Sequence, residues 1–136
     1  MLRELELQAG RLVVADFEAG VGTMSRTDAK LIDCAIVVVE PYMKSIETGR
    51  RLVEMIRANE GNRIVVVANK VRDDDDVEFL RAKLDGVQID IAVPEDREVA
   101  EADLAGQSPV DRNPDSPAVQ AIRELAALVS PVEAAV

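Results

Sequence analysis

Histidine is absent from the 136 residues. That excludes acid–base chemistry by imidazole and metal sites built on it. There is one cysteine, Cys34, so no internal disulfide can close. Its place in an apolar run reads as a small buried hydrophobe, not as a reactive thiol or metal ligand. No hydrophobic run is long enough to span a bilayer: AIVVV at 35–39 is among the longest, and the charged N-terminus is unlike a signal segment. Basic residues are outnumbered, 16 Lys and Arg against 26 Asp and Glu, for a formal charge of −10. Only short basic clusters such as Arg50–Arg51 occur, so the chain would repel a phosphodiester backbone, and no nucleic acid or membrane partner is expected. A cytoplasmic location is expected.

What is present reads as one α/β unit. A globular chain of this length buries roughly two-thirds of its unfolded surface, enough for a core without staples. Four runs rich in valine and isoleucine read as strands: RLVVADF (11–17), CAIVVVE (34–40), RIVVVAN (63–69) and the weaker QIDIAVP (88–94). Three are almost continuously apolar, as expected of parallel strands covered on both faces.

Helical patterns fall between and after them. One is capped at Ser45, with Ile46, Leu52, Val53 and Ile56 on a stripe that stops near Asn59 and Gly61. A second carries Val77, Leu80 and Leu84 and ends at Gly86, and a third carries Val99, Ala102 and Leu104 before Gly106. Ser116 and Pro117 open a fourth with Val119, Ile122, Leu125 and Val129. The expected fold class is therefore α/β, a doubly wound, mostly parallel sheet of about four strands with helices on both faces. Residues 1–130 would form a single domain, 106–115 a loop and 131–136 a frayed tail. The acidic run at 73–76 reads as a solvated helix cap rather than a metal site.

In open parallel sheets ligands lie beyond the carboxyl ends of the strands. The residues there are Asp16, Glu18, Ala19 and Gly20, then Glu40 and Pro41, then Asn69 and Lys70, then Pro94, Glu95 and Asp96. Taken singly these are ordinary. Asp before Gly is a common turn former, Asn is common where strands end, and Lys70 reads as a solvated side chain or a charge partner for Glu40. A receiver-like phosphoacceptor built on Asp16 and Lys70 lacks the acidic pair it would need near the N-terminus.

The ordered set VVADFEAGVGTMSR, DCAIVVVEPYMKSIETGRRL, VVVANKV and IAVPEDREVAEADLAGQSPVD resembles the later half of the MinD/ParA-type P-loop ATPases, and most closely the carbon monoxide dehydrogenase maturation ATPases of the CooC type. The resemblance covers residue 11 to about 125. It implies ATP and Mg²⁺ as cofactors. Asp16 would hold Mg²⁺ indirectly through water, and the Gly20 N–H would sense the γ-phosphate. Asn69 would bond adenine, and Pro94 and Asp96 would wall the base. Glu18 and Arg26 match the CooC-like variant of the switch segment. The family's glycine-rich, lysine-bearing phosphate loop and the strand leading into it have no counterpart in the 136 residues, and neither does the cysteine pair expected of CooC-like proteins. Without that loop, phosphate binding and transition-state charge are not provided for.

Two functions follow as expectations. One is an ATP-binding part of a CooC/MinD-like ATPase serving nickel metallocentre maturation and catalytically incompetent alone, with a homodimer mate, the missing N-terminal half or a metalloenzyme client as partners. The other is a non-catalytic interaction or scaffold protein built on the remnant fold.

Overall fold

The computed structural model describes residues 12–17, 32–58 and 63–130. Among these residues the core is a three-stranded sheet, β1 (Cys34–Val39), β2 (Arg63–Val71) and β3 (Ile91–Pro94), in the order β1-β2-β3. Both pairings are parallel. Cys34 stands opposite Arg63 and Val39 opposite Ala68 along β1 and β2, and Val67 stands opposite Ile91 where β3 begins.

Five helices connect and cover these strands: α1 (Met43–Arg57), α2 (Asp74–Lys83), α3 (Arg97–Leu104), the four-residue α4 (Pro109–Arg112) and α5 (Pro117–Val129). On one face Ala35, Val37 and Val39 of β1 and Val66 and Ala68 of β2 are buried against Ile46, Val53 and Ile56 of α1 and Leu80 of α2. On the other face Val65, Val67 and Val93 are buried with Ala118 and Ala121 of α5. The α/β class, the parallel sheet and the placing of helices on both faces thus agree with the sequence reading.

The strands differ in how fully they are covered. From Val65 to Ala68 the central strand β2 is buried at every position, as its unbroken apolar run requires. On β1 buried and exposed residues alternate: Ile36 is 41% exposed and Val38 53% exposed. The expectation that 34–40 is covered on both faces is therefore corrected, because among the described residues the face of β1 away from α1 is packed only at Cys34 and left open at Ile36 and Val38.

Residues 12–17 correct the fourth expected strand. They form no regular secondary structure, and Leu12, Val13 and Val14 are exposed. A strand exists only as one member of a hydrogen-bonded pair, and this apolar run pairs with no described neighbour.

The remaining departures have local causes. Ser45 does not cap α1, whose N-cap is Tyr42; its Oγ instead accepts the N–H of Glu40, 2.9 Å away, and ties strand to helix. Only 91–94 of the 88–94 run is regular strand. Just before it, Asp90 gives its own N–H to the Val66 carbonyl, and its carboxylate accepts the Val66 N–H at 2.8 Å. Leu104 and Ile122, expected on buried stripes, are exposed; the inner face of α5 runs through Ala118, Val119 and Ala121 instead. Pro109, fixed in φ, starts the short α4 inside the segment expected to be loop. The acidic run is only partly solvated: Asp73 caps α2, but Asp76 is buried.

Helix α1 approaches β1 closely because residue 49 is glycine. A Cβ there would collide with Val39 Cγ1, and Val39 is wholly buried.

Candidate functional site at the carboxyl rim of the sheet

The parallel arrangement brings the carboxyl ends of all three described strands to one rim. Glu40 follows β1, Asn69 and Lys70 close β2, and Pro94, Glu95 and Asp96 follow β3. Beyond Ala68 and Ala92 the β2–β3 register slips by one residue, so that Val71 faces Pro94. The extra residue makes a bulge at Asn69–Lys70, and Lys70 takes a left-handed backbone with φ 54°. A non-glycine residue in that region is uncommon and has to be held there by its surroundings.

Glu40 bridges the two side chains of the bulge. Its carboxylate oxygen Oε1 lies 3.0 Å from Lys70 Nζ and 3.5 Å from Asn69 Nδ2. Its own backbone is fixed as well: the N–H is given to Ser45 Oγ, and the carbonyl accepts the Tyr42 N–H at 2.7 Å. The hydrogen bond to Glu40, then its charge, raises the Lys70 pKa above the ordinary lysine value, so the ammonium is fully charged at neutral pH. Of the readings open to Lys70, the charge partner for Glu40 is the one observed.

Asp96 faces inward. Oδ1 accepts the Glu98 N–H at 2.9 Å and so caps α3, while Oδ2 accepts the Ala118 N–H of α5 at 3.2 Å. The Ala118 bond is the main cause of a carboxyl pKa below the ordinary value, and burial partly opposes it. Pro94 is half-buried at the end of β3. Asp16 is exposed within the irregular 12–17 segment, and Gly20, Glu18 and Arg26 lie outside the described residues. The structure thus brings Asn69 together with Glu40 and Lys70, and places Pro94 and Asp96 on the neighbouring strand end.

Sequence reasoning missed the bulge, the dual cap made by Asp96 and a clamp at the same rim. In that clamp Arg72 Nε and Nη2 bind both carboxylate oxygens of Asp76 at 2.9 and 2.8 Å, and the Arg72 N–H adds a third bond at 3.0 Å. The i,i+4 spacing of Arg72 and Asp76 was the available signal. No group of three or more His, Cys, Asp or Glu side chains among the described residues is arranged to hold a metal ion. No described helix is long and apolar enough to cross a membrane.

Known proteins similar to the chain are few in kind. No family model matches. The chain is 30% identical over 128 residues to an uncharacterized ATP-binding protein of Methanocaldococcus jannaschii, covering 92% of this chain and 48% of that one. It is 28% identical over 114 residues to the carbon monoxide dehydrogenase accessory protein CooC of Rhodospirillum rubrum, covering 84% and 43%. Among solved structures it superposes on the MinD cell division protein of Aquifex aeolicus with a TM-score of 0.59 at 22% identity, covering 79% of this chain and 50% of that one. The septum site-determining protein MinD of Pyrococcus horikoshii, complexed with Mg-ADP, gives 0.52 at 22%, covering 74% and 45%. A match to the later portion of such proteins alone would give coverage of this size. The chain is thus similar in sequence to ATP-binding proteins that include CooC and similar in fold to MinD, as a later portion of such proteins would be, and it spans about half the length of the relatives it matches.

Proposed function

We propose that this chain supplies the base-binding part of an ATP·Mg²⁺ site in a CooC/MinD-like ATPase, and that it does not hydrolyse ATP by itself. The observation that carries this reading is Asn69. It stands on a bulge at the carboxyl end of the central strand, where open α/β sheets bind ligands, and it offers an amide donor and acceptor there. An adenine edge requires such a donor and acceptor pair, so the described residues fit the base end of a nucleotide.

Pro94 and Asp96 form the wall beside it. In this reading the Asp96 carboxylate acts by fixing the starts of α3 and α5 rather than by touching the base, since both its oxygens already accept backbone N–H groups. Asp16 is the carboxylate for water-bound Mg²⁺ and Gly20 the N–H for the γ-phosphate, both by resemblance. Mg²⁺, when bound, neutralises phosphate charge. Service to nickel metallocentre assembly, a metalloenzyme client, a homodimer and a cytoplasmic setting belong to the same reading and rest on the similarity to CooC.

The test is binding of MgATP to the full chain, compared with Asn69→Ala, together with steady-state phosphate release. Saturable MgATP binding that Asn69→Ala weakens about tenfold, without phosphate release above the no-protein background, is the expected result. Phosphate release abolished by Asp16→Asn would contradict the inactive part of the proposal.

A second reading, a non-catalytic interaction module, is favoured by one observation, the exposed apolar face of β1 at Ile36 and Val38. It gains if MgATP fails to bind while the chain remains cooperatively folded.

A further inference from the structure

Glu40 stands in the second of the four resembling segments, yet neither the composition nor that resemblance gives it a role. In the structure both backbone polar groups of this residue and one of its carboxylate oxygens are engaged. Its N–H goes to Ser45, its carbonyl to Tyr42, and one carboxylate oxygen to both Lys70 and Asn69. Its side chain is only 24% exposed, against 62% for that of Lys70.

The consequence for Asn69 follows from the chemistry of an amide. A carboxylate accepts hydrogen bonds and donates none, so the Asn69 atom facing Glu40 must be the NH₂ group; the reversed amide would set oxygen against charged oxygen. With Nδ2 committed toward Glu40, Oδ1 is turned away, and among the described residues neither Oδ1 nor the second N–H has a hydrogen-bond partner. Asn69 therefore presents one acceptor and one donor in a fixed sense. Adenine offers the complementary pair, an exocyclic NH₂ donor and a ring-nitrogen acceptor. On the Watson–Crick edge of guanine the pair is reversed, an O6 acceptor and an N1–H donor, so that O6 would face Oδ1. An unanchored amide could turn over and accommodate either base.

We infer that Glu40 is a positioning residue that sets the sense of the Asn69 amide and so makes the site select a 6-amino purine over a 6-oxo purine. This rests on the nucleotide-binding reading above. Lys70 assists by neutralising the carboxylate without competing as an acceptor, since an ammonium only donates.

The experiment measures affinity of the full chain for MgATP and MgGTP, and repeats it in Glu40→Leu, which has no acceptor, and in Glu40→Gln, which keeps an acceptor oxygen at nearly the same place. The unsubstituted chain should favour MgATP by roughly tenfold, the worth of about one hydrogen bond. Glu40→Leu should bring the ratio close to one, and Glu40→Gln should retain most of it. A purely structural role would weaken both nucleotides equally and leave the ratio alone.

An unchanged ratio in folded Glu40→Leu overturns this inference and leaves the nucleotide reading intact. Failure of the unsubstituted chain to bind either nucleotide overturns both. Should Glu40→Leu not fold, the ¹⁵N–¹H signals of the Asn69 side chain decide in the near-isosteric Glu40→Gln, without any nucleotide. They must move when the acceptor loses its charge, and signals that stay in place overturn the inference.

Discussion

Arg72 holds Asp76 by three hydrogen bonds, two from its guanidinium and one from its backbone N–H, and thereby fastens the end of β2 to the first turn of α2. The geometry is a two-pronged guanidinium–carboxylate contact around a buried carboxylate, with Asp76 at 7% exposure. The side-chain bonds to Arg72, followed by its backbone N–H, hold the Asp76 pKa down at about 2. A carboxyl whose folded pKa is depressed contributes stability that is complete above its unfolded value. That contribution fades as pH falls toward the folded value, here between about pH 4 and pH 2. Thermal melts across that window should show the unsubstituted chain losing stability more steeply than Asp76→Asn. At neutral pH Asp76→Asn should melt lower. Parallel acid profiles for the two proteins would show that the clamp contributes nothing.

Gly49→Ala tests the contact between α1 and β1. Alanine favours the helix by about 1 kcal/mol, but its methyl would strike the stiff, fully buried Val39, and overpacking costs about 1–3 kcal/mol. Net destabilisation of up to about 2 kcal/mol is expected in urea unfolding. A variant as stable as the parent, or more so, would place α1 farther from the sheet than described.

Cys34 gives a sharper expectation from structure than from sequence. It is the first residue of β1 and only half-buried, packed beside Val65 and Val67 rather than enclosed among them. Burial, the largest influence, raises its pKa, and nearby Arg63 only partly offsets this. The net rise reduces the reactive thiolate. Labelling by a soluble disulfide reagent at neutral pH should be several-fold slower in the folded chain than in urea, yet should run to completion without unfolding. Equal rates in the two states would remove Cys34 from the strand.

On the open side of β1, Ile36→Thr with Val38→Thr should change the stability of the folded chain by no more than about 1 kcal/mol, because both side chains are already about half in water. The pair should also lower concentration-dependent self-association seen by light scattering, since an apolar face on a β-rich edge strand invites pairing between chains. Large destabilisation would mean that this face is covered by residues outside those described.

How far the sequence could be read is seen best in β2 and 12–17. Both are valine-rich and both read as strands. Only β2 is one, because its backbone finds partners on both sides, and partner availability is a property of the whole sheet that local composition does not carry. The helices were legible where their apolar spacing was strong, as with Ile46, Val53 and Ile56. At α1 the cap was misread, because Ser45 had a competing acceptor role toward Glu40 that only the strand–helix approach reveals. In the candidate site, Asn69 and Lys70 could be placed at a strand end from sequence. The bulge between them could not, since it is the outcome of register with β3. Nor was it visible that Asp96 would turn both its oxygens to helix starts, one of them 22 residues away.

That last arrangement makes one carboxylate a shared hinge pin. The N-termini of α3 and α5 are anchored to the same side chain and not to each other, so the Glu98 and Ala118 amides should be released by a common opening event. Native-state hydrogen exchange should therefore show the two amides with matched protection, lowered together in Asp96→Ala. The wall at the β3 end of the rim would then swing as one piece, and a disturbance entering through the distant α5 would reach the rim without passing through the sheet.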